Sequence, residues 1–503
     1  MARNASRTRL PRLKWLAALA VALIGVLLVA CGVNTAAPAA APAAPAPAAT
    51  SAPASQASAA KATDVPKAAA AAPAPTAVPK DLPQGAAGKL TVIHRTEYFP
   101  AVQERFKKTV EDFAKANNTQ LDISTANSEV FGDFKAKMVA AVRAGNPPDI
   151  SYNTDSIQQL YSLDVLEDVT DVVEEAIKRY GAVVPAGAEQ NAKINGRWYA
   201  IPFISNSSSW FARKDLLDAK GIPTSQLDTW DGRREAALAI SDPAKEIWGW
   251  GLTVNKSGDG HGFIMDVIQS FGGSISDASG KKVTFNSPET VAAVKWLDET
   301  YTSPKYKPML PPGIESWTDT SNNEAWLAGK IGFTQNQLSI YGQMRKDKNP
   351  LLDKTALIRK PKTLDGKLLE NGGSGWLTIF KGAKNKEMAK KLALELLDPK
   401  NSMPMFQEAG GLILPAYKNL WTDEFVKSDS NLPRLKDIIF NPEPYYGTSH
   451  PAPPSAVHDA VLSEAIPSQM MANVISGKMT PEEAVADAHK KIVVIFEEAG
   501  LKQ

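Results

Sequence analysis

Between Leu90 and Tyr152 the hydrophobic pattern switches repeatedly between a period of two and a period near 3.6, and that alternation limits the fold more than any other feature of the chain. Residues 90–94 read as a strand, and residues 101–117 put Val102, Phe106, Val110, Phe113 and Ala114 on one helical face. Residues 120–124 are strand-like again, Phe134, Met138, Val139 and Val142 mark a second helix, and residues 149–152 form a third strand. Strand, helix, strand, helix, strand at this spacing predicts an α/β layer with a parallel sheet. Ligands of such sheets collect beyond the carboxyl ends of the strands. Residues 94–97, 125–129 and 153–156 are therefore candidate positions. Asn153, Thr154 and Asp155 are small hydrogen-bonding residues ahead of a helix expected over 157–166, whose N-cap is Asp155 or Ser156.

The 503-residue chain is long enough for two or three domains, but its first 88 residues belong to none of them. Residues 1–30 carry Arg3, Arg7, Arg9, Arg12 and Lys14, no acidic residue, and then an apolar run too short to span a bilayer comfortably. The run stops at Leu28-Val29-Ala30-Cys31-Gly32, and Cys31 is the only cysteine. Small residues before that cysteine look like the lipobox of bacterial lipoproteins, so residues 1–30 are expected to be a signal peptide and Cys31 a lipidation site. That places the protein outside the cytoplasm, tethered to a membrane. Residues 31–88, nearly all Ala, Pro, Ser and Thr, bury too little surface to fold and are expected to act as a disordered tether. Removing the five basic residues of the leader takes the formal charge from +2 to −3. Nothing in that balance points to nucleic acid.

A second set of alternating elements follows residues 198–214. There, a short apolar strand containing Pro202 leads into the polar run 206–209, expected to be a turn outside the core, and then into Trp210-Phe211-Ala212. This stretch reads as a chain crossing between two lobes, with Asn206 on the cleft floor. The glycine-rich 258–262, holding His261, precedes an apolar helix and suits a cleft-lining loop. It lacks the ending of a P-loop and the spacing of a dinucleotide loop, so no cofactor is expected. Residues 371–379, with a glycine run before Trp376, read as a second crossing. The expected fold is thus two α/β lobes joined by hinge crossings: residues 89–205 and 376–438 in one, 206–375 and 439–503 in the other.

No nucleophile elbow occurs, and the five histidines show no metal-ligand spacing, so neither catalysis nor a metal site is expected. What recurs is aromatic residues beside small polar ones: Trp210 after Asn206, Trp317 before Thr318-Asp319, Trp376 after the glycines, and Tyr445-Tyr446 in a late loop. Flat aromatic faces beside amides and carboxylates suit a sugar, a mono- or oligosaccharide. Trp248, Trp296 and Trp326 read as core. Two other readings remain open: a cationic ligand such as a polyamine or quaternary amine, held by aromatics with Asp155 and Asp319, and a secreted glycoside hydrolase using a carboxylate pair.

Over most of residues 89–503 the chain resembles the extracellular solute-binding proteins of ATP-driven (ABC) importers, in the branch with maltose-binding and other sugar-binding lipoproteins. The matching pieces include Ala144-Gly145-Asn146-Pro147-Pro148-Asp149-Ile150, Asn195-Gly196-Arg197-Trp198-Tyr199-Ala200-Ile201-Pro202-Phe203, Thr229-Trp230-Asp231 and Ala325-Trp326-Leu327-Ala328-Gly329-Lys330. The resemblance implies a type II periplasmic-binding fold that closes on a solute and presents it to a membrane permease. It also implies that Asn336, Trp210, Trp376 and the turn at Asn153 to Asp155 face the cleft. The chain departs from the family at Phe211-Ala212-Arg213, where Tyr-Asn usually precedes Lys-Asp, and the loop at 449–455 lacks the aromatic pair of maltose binders. The expected ligand set is Asn153, Asp155, Asn206, Trp210, His261, Trp317, Asn336, Trp376 and Tyr445, in a monomer.

Overall fold

The structure, a computed structural model, describes residues 85–126, 133–370, 372–442 and 445–503. The leader, the lipidation position Cys31 and nearly all of the tether lie outside the described residues.

Eleven strands occur among the described residues: β1 (Lys89–Arg95), β2 (Gln120–Ala126), β3 (Ile150–Asn153), β4 (Lys193–Ile194), β5 (Arg197–Trp198), β6 (Ile201–Arg213), β7 (Trp248–Trp250), β8 (Ile331–Gln337), β9 (Thr355–Ile358), β10 (Gly372–Ile379) and β11 (Leu414–Pro415). Nine of them form one sheet in the order β2-β1-β3-β10-β6-β8-β7, with β9 and β11 also paired to β6. β2, β1 and β3 are parallel, as the alternation with helices requires. β10 then runs antiparallel to both β3 and β6, and β8 antiparallel to β6. The helix between β1 and β2, Pro100–Ala116, buries Val102, Phe106, Val110, Phe113 and Ala114, the five residues its period predicts. The Val and Phe side chains among them contribute about 1.5–3 kcal/mol each when fully buried.

Helices on this sheet produce two hydrophobic cores. The first holds β1, β3, Ile201 to Ile204 of β6 and Trp376 of β10, and takes in Trp326, Leu338 and Met344 as well. The second gathers Trp210, Trp230, Trp250, Phe263 and Trp296 with the carboxyl-terminal helices Ile466–Ile475 and Pro481–Glu498. β6 contributes to both.

The expected turn at 206–209 is absent, because β6 is one continuous strand of 13 residues. Its serines are buried, Ser205 at 0 %, Ser207 at 2 % and Ser209 at 3 % exposure. They are accommodated by hydrogen bonds: Ser205 Oγ donates to Pro415 O at 2.8 Å, and Arg434 donates to Ser209 Oγ. Pro202 falls where the β10 pairing shifts register between Gly375 and Trp376, so the missing N–H sits at a bulge. The helix expected over 157–166 is shorter, Ile157–Ser162, and its cap is Ser156, whose side chain accepts from Gln159 N. The chain turns after it at Asp164, with φ of 59°.

Candidate functional site

Beyond the carboxyl ends of β1 and β3, and facing β8 and the start of β10, lies a cavity of about 1000 Å³. Its size is that of a generous small-molecule site. The wall includes Trp376 and Leu412 of the first core and Leu252 and Phe263 of the second, the residues at the ends of β1 and β3, Arg95 to Tyr98 and Thr154 to Ser156, and Asn322 and Asn336. Trp317 packs against both cores. Residues 127–129, part of the position expected after the second strand, lie outside the described set.

Asp155, Asn206, Trp317, Asn336, Trp376 and Tyr445 border this cavity. Asn336 is fixed on two sides: its Nδ2 donates to Asn323 Oδ1 at 2.8 Å and its Oδ1 accepts from Ser339 Oγ at 2.6 Å. Asn206 lies beneath Gly373, where a Cβ would come within 2.5 Å of Asn206 Oδ1, so the second crossing needs glycine there.

The other three expected residues do not reach the cavity. Trp210 is fully buried, with ring centroids 5.7 Å from Trp230 and 5.9 Å from Trp250 and the Arg233 guanidinium 4.4 Å above its ring. Trp210 shares a face of β6 with Asn206 and Ser208, which line the cavity, but it lies further along the strand, where Trp230, Trp250 and Phe263 cover that face as part of the second core. His261, at 4 % exposure, packs with its Nδ1 3.2 Å from Ser468 Oγ, and burial brings its pKa down to about 4. Asn153 supports the site from behind. Its Nδ2 donates to Ser151 Oγ at 2.7 Å and Thr378 Oγ1 at 2.9 Å, and its Oδ1 accepts from Asp155 N at 3.1 Å, which sets the turn carrying Asp155.

The glycine-rich segment is the first turn of the helix Gly258–Ser270, capped by Ser257. The anion that such a terminus attracts is supplied by the chain itself, since Asp319 accepts from Gly258 N at 3.2 Å and Asp259 N at 2.8 Å. Asp259 beside it is pushed up to about 7, first by burial and then by the Asp319 charge. Burial likewise brings Asp155 up to about 7 and Asp459 to about 6, with Lys135 opposing both, and it raises Glu97 against the pull of Arg95.

Several cavity residues went unnoticed in the sequence. Glu97 falls in the first strand-end position, and Asp259 in the glycine-rich segment, so both had a signal. Asp459, Lys135 and Gln159 had none. They meet only because the helix Ala456–Ser463 lies against Ile157–Ser162, where Ser156 donates to Asp459, and Lys135 donates to Gln159 and, at 3.2 Å, to Ser463 Oγ. Among the described residues no group of three or more His, Cys, Asp or Glu could hold a metal ion, and no helix is long and apolar enough to cross a membrane.

Comparison with known proteins gives consistent results. Residues 108–434 match the family model of the bacterial extracellular solute-binding protein. A probable ABC transporter-binding protein of Deinococcus radiodurans is 25 % identical over 212 residues, 40 % of this chain and 48 % of that protein. A maltotriose-binding protein of Pyrococcus abyssi is 22 % identical over 206 residues, 40 % of this chain and 42 % of that one. The chain thus spans about half the length of each of these relatives. Among solved structures, an ABC transporter solute-binding protein of Thermotoga lettingae with bound α-D-tagatose superposes with a TM-score of 0.67 at 20 % identity, covering 82 % of this chain and 100 % of that one. Maltose-bound MalE3 of T. maritima gives 0.66 at 22 % identity, covering 80 % and 98 %. The fold is that of the MalE-type periplasmic binding proteins.

Proposed function

This chain belongs to the bacterial extracellular solute-binding proteins, and from that premise we propose that it is the membrane-anchored receptor of an ABC importer, capturing a mono- or oligosaccharide and handing it to the permease without covalent chemistry. The observation that carries the sugar reading is the meeting, around one cavity, of aromatic side chains and amides: Trp317, Trp376, Tyr445 and Tyr446 with Asn206 and the doubly hydrogen-bonded Asn336. The sugars in the solved relatives agree with that chemistry. Residues 89–205 with 376–438 act as one lobe and 206–375 with 439–503 as the other, closing about β6 and β10. Closure follows only if the ligand binds the closed state more tightly than the open one. The receptor acts as a monomer and is held to the membrane through a lipid on Cys31.

Calorimetric titration of the full-length chain against a panel of mono- and oligosaccharides, followed also by tryptophan fluorescence, tests this reading. Saturable heat with at least one sugar is expected. Silence across the sugars together with turnover of a chromogenic glycoside, abolished by one carboxylate substitution, would replace the receptor by a hydrolase. For the anchor, Cys31→Ala is expected to move the protein from the membrane fraction to the soluble one.

A further inference from the structure

The cavity wall has a chemical bias that a neutral sugar does not call for. Five carboxylates line it, Glu97, Asp155, Asp259, Asp319 and Asp459, against two basic side chains, Arg95 and Lys135. Arg95 is engaged with Glu97, Nε to Oε1 at 3.6 Å, and Lys135 is engaged with Gln159 and Ser463.

Apart from that Arg95–Glu97 pair, four buried side-chain atoms on lining residues have no hydrogen-bond partner: Asp155 Oδ2, Asn191 Oδ1, Asn322 Oδ1 and Gln335 Oε1. All four are acceptors. For two of them the orientation is dictated from behind. Asn322 turns its Nδ2 to Asp259 Oδ2 at 2.9 Å, and Gln335 turns its Nε2 to Asp266 Oδ2 at 2.8 Å. Asn322 Nδ2 also donates to the Gln335 backbone carbonyl at 3.1 Å; neither that carbonyl nor the Asp266 carboxylate can donate, so each amide must offer its NH2 there and leave its own carbonyl oxygen on the other side. Asn322 is only 5 % exposed, so its unpaired oxygen is a buried group rather than a solvated one.

A sugar hydroxyl both donates and accepts, and a wall built for hydroxyls alone gains by offering both kinds of group. A protonated amine only donates, carries the opposite charge to the wall, and compensates the desolvation of its carboxylates. We infer that the solute is a polyhydroxylated molecule carrying a protonated amine, of the amino-sugar class, with its ammonium directed to the acceptors around Asp155, Asn322 and Gln335. This rests on the receptor reading above and narrows its ligand. The half-buried Trp317 serves such a ligand by stacking on its ring, while Trp376, at 2 % exposure, backs the wall from the first core.

The test compares matched pairs on the full-length chain at pH 7.5, above the values to which burial brings Asp155, Asp259 and Asp459: glucosamine against glucose, galactosamine against galactose, and the β-1,4-linked glucosamine disaccharide against cellobiose, with spermidine as a cation that has no sugar ring. At least one amino sugar is expected to bind about tenfold more tightly than its neutral partner, the size of one charge-assisted hydrogen bond, and the preference is expected to collapse in Asp155→Asn or Asn322→Leu, which remove the charge and the acceptor in turn. Both variants are checked for folding by circular dichroism, and the wild-type comparison decides the matter if either fails to fold. Equal or tighter binding of the neutral sugars would overturn the inference and leave the sugar receptor standing. Spermidine binding with all six sugars silent, or silence from every probe, would remove the amino-sugar class together with the sugar reading it rests on.

Discussion

Asp155 is a carboxylate turned into a cavity wall, held in place by the Asn153 turn and brought by burial from the ordinary 3.8 up to about 7. The unfolded chain therefore releases this proton well before the folded one does. Stability linked to the group is intact below pH 3.8 and declines as pH rises through about 7, so the sign opposes that of a salt-bridged aspartate. Asp155→Asn is expected to raise the melting temperature of the ligand-free protein at pH 8 by the equivalent of about 1–2 kcal/mol, with a smaller gain at pH 5; thermal melts at the two pH values measure it, and an equal gain at both would refute the assignment. Trp210 makes the opposite case. Packed among Trp230, Trp250 and Arg233, it is a core residue, and Trp210→Ala is expected to cost about 3–5 kcal/mol in denaturant titration while ligand affinity, measured on the fraction that remains folded, stays near wild type. A large loss of affinity with little loss of stability would return it to the cleft. The sequence places Trp210 two residues from Ser208, which does line the cavity, and alternation puts both on one face of β6; which part of that face opens on the cavity is decided by Trp230, Trp250 and Phe263, which come from distant elements and cover Trp210.

At the level of elements, the first α/β layer was fully legible. The helix Pro100–Ala116 follows from periodicity because it presents one apolar face to one core, and β1 and β3 follow from their short apolar runs, buried on both faces of the sheet. β6 was not, because its middle residues lie where two cores meet and its serines satisfy themselves through hydrogen bonds to Pro415 and Arg434 instead of through apolar packing. A polar strand of that kind has the composition of a loop. β10 crosses beside it, and its glycines give β6 room: at Gly373 an added Cβ meets Asn206 Oδ1 at 2.5 Å. Gly373→Val is accordingly expected to displace the Asn206 side chain and weaken ligand binding by about tenfold, through loss of one hydrogen bond and distortion of the crossing. Calorimetry on the variant reads this directly; unchanged affinity would mean that Asn206 does not contact the ligand. The candidate site was legible where it sits at strand ends, as with Asp155, and illegible where distant helices converge, as with Lys135 and Asp459, since no local pattern announces a meeting of residues 324 positions apart.

For the molecule as a whole, one sheet carries two hydrophobic cores, and the cavity takes its wall from both. Only that arrangement lets a single solute hold two bodies together, and the central claim is that it does so here. Hydrogen exchange with and without a saturating sugar identified by calorimetry tests the claim most directly. Slowed exchange is expected at amides on both sides of the cavity, around 154–156 after β3 and around 317–323 and 335–337 at the end of β8, rising together with ligand occupancy. Protection confined to one side, or none at saturating ligand, would contradict it.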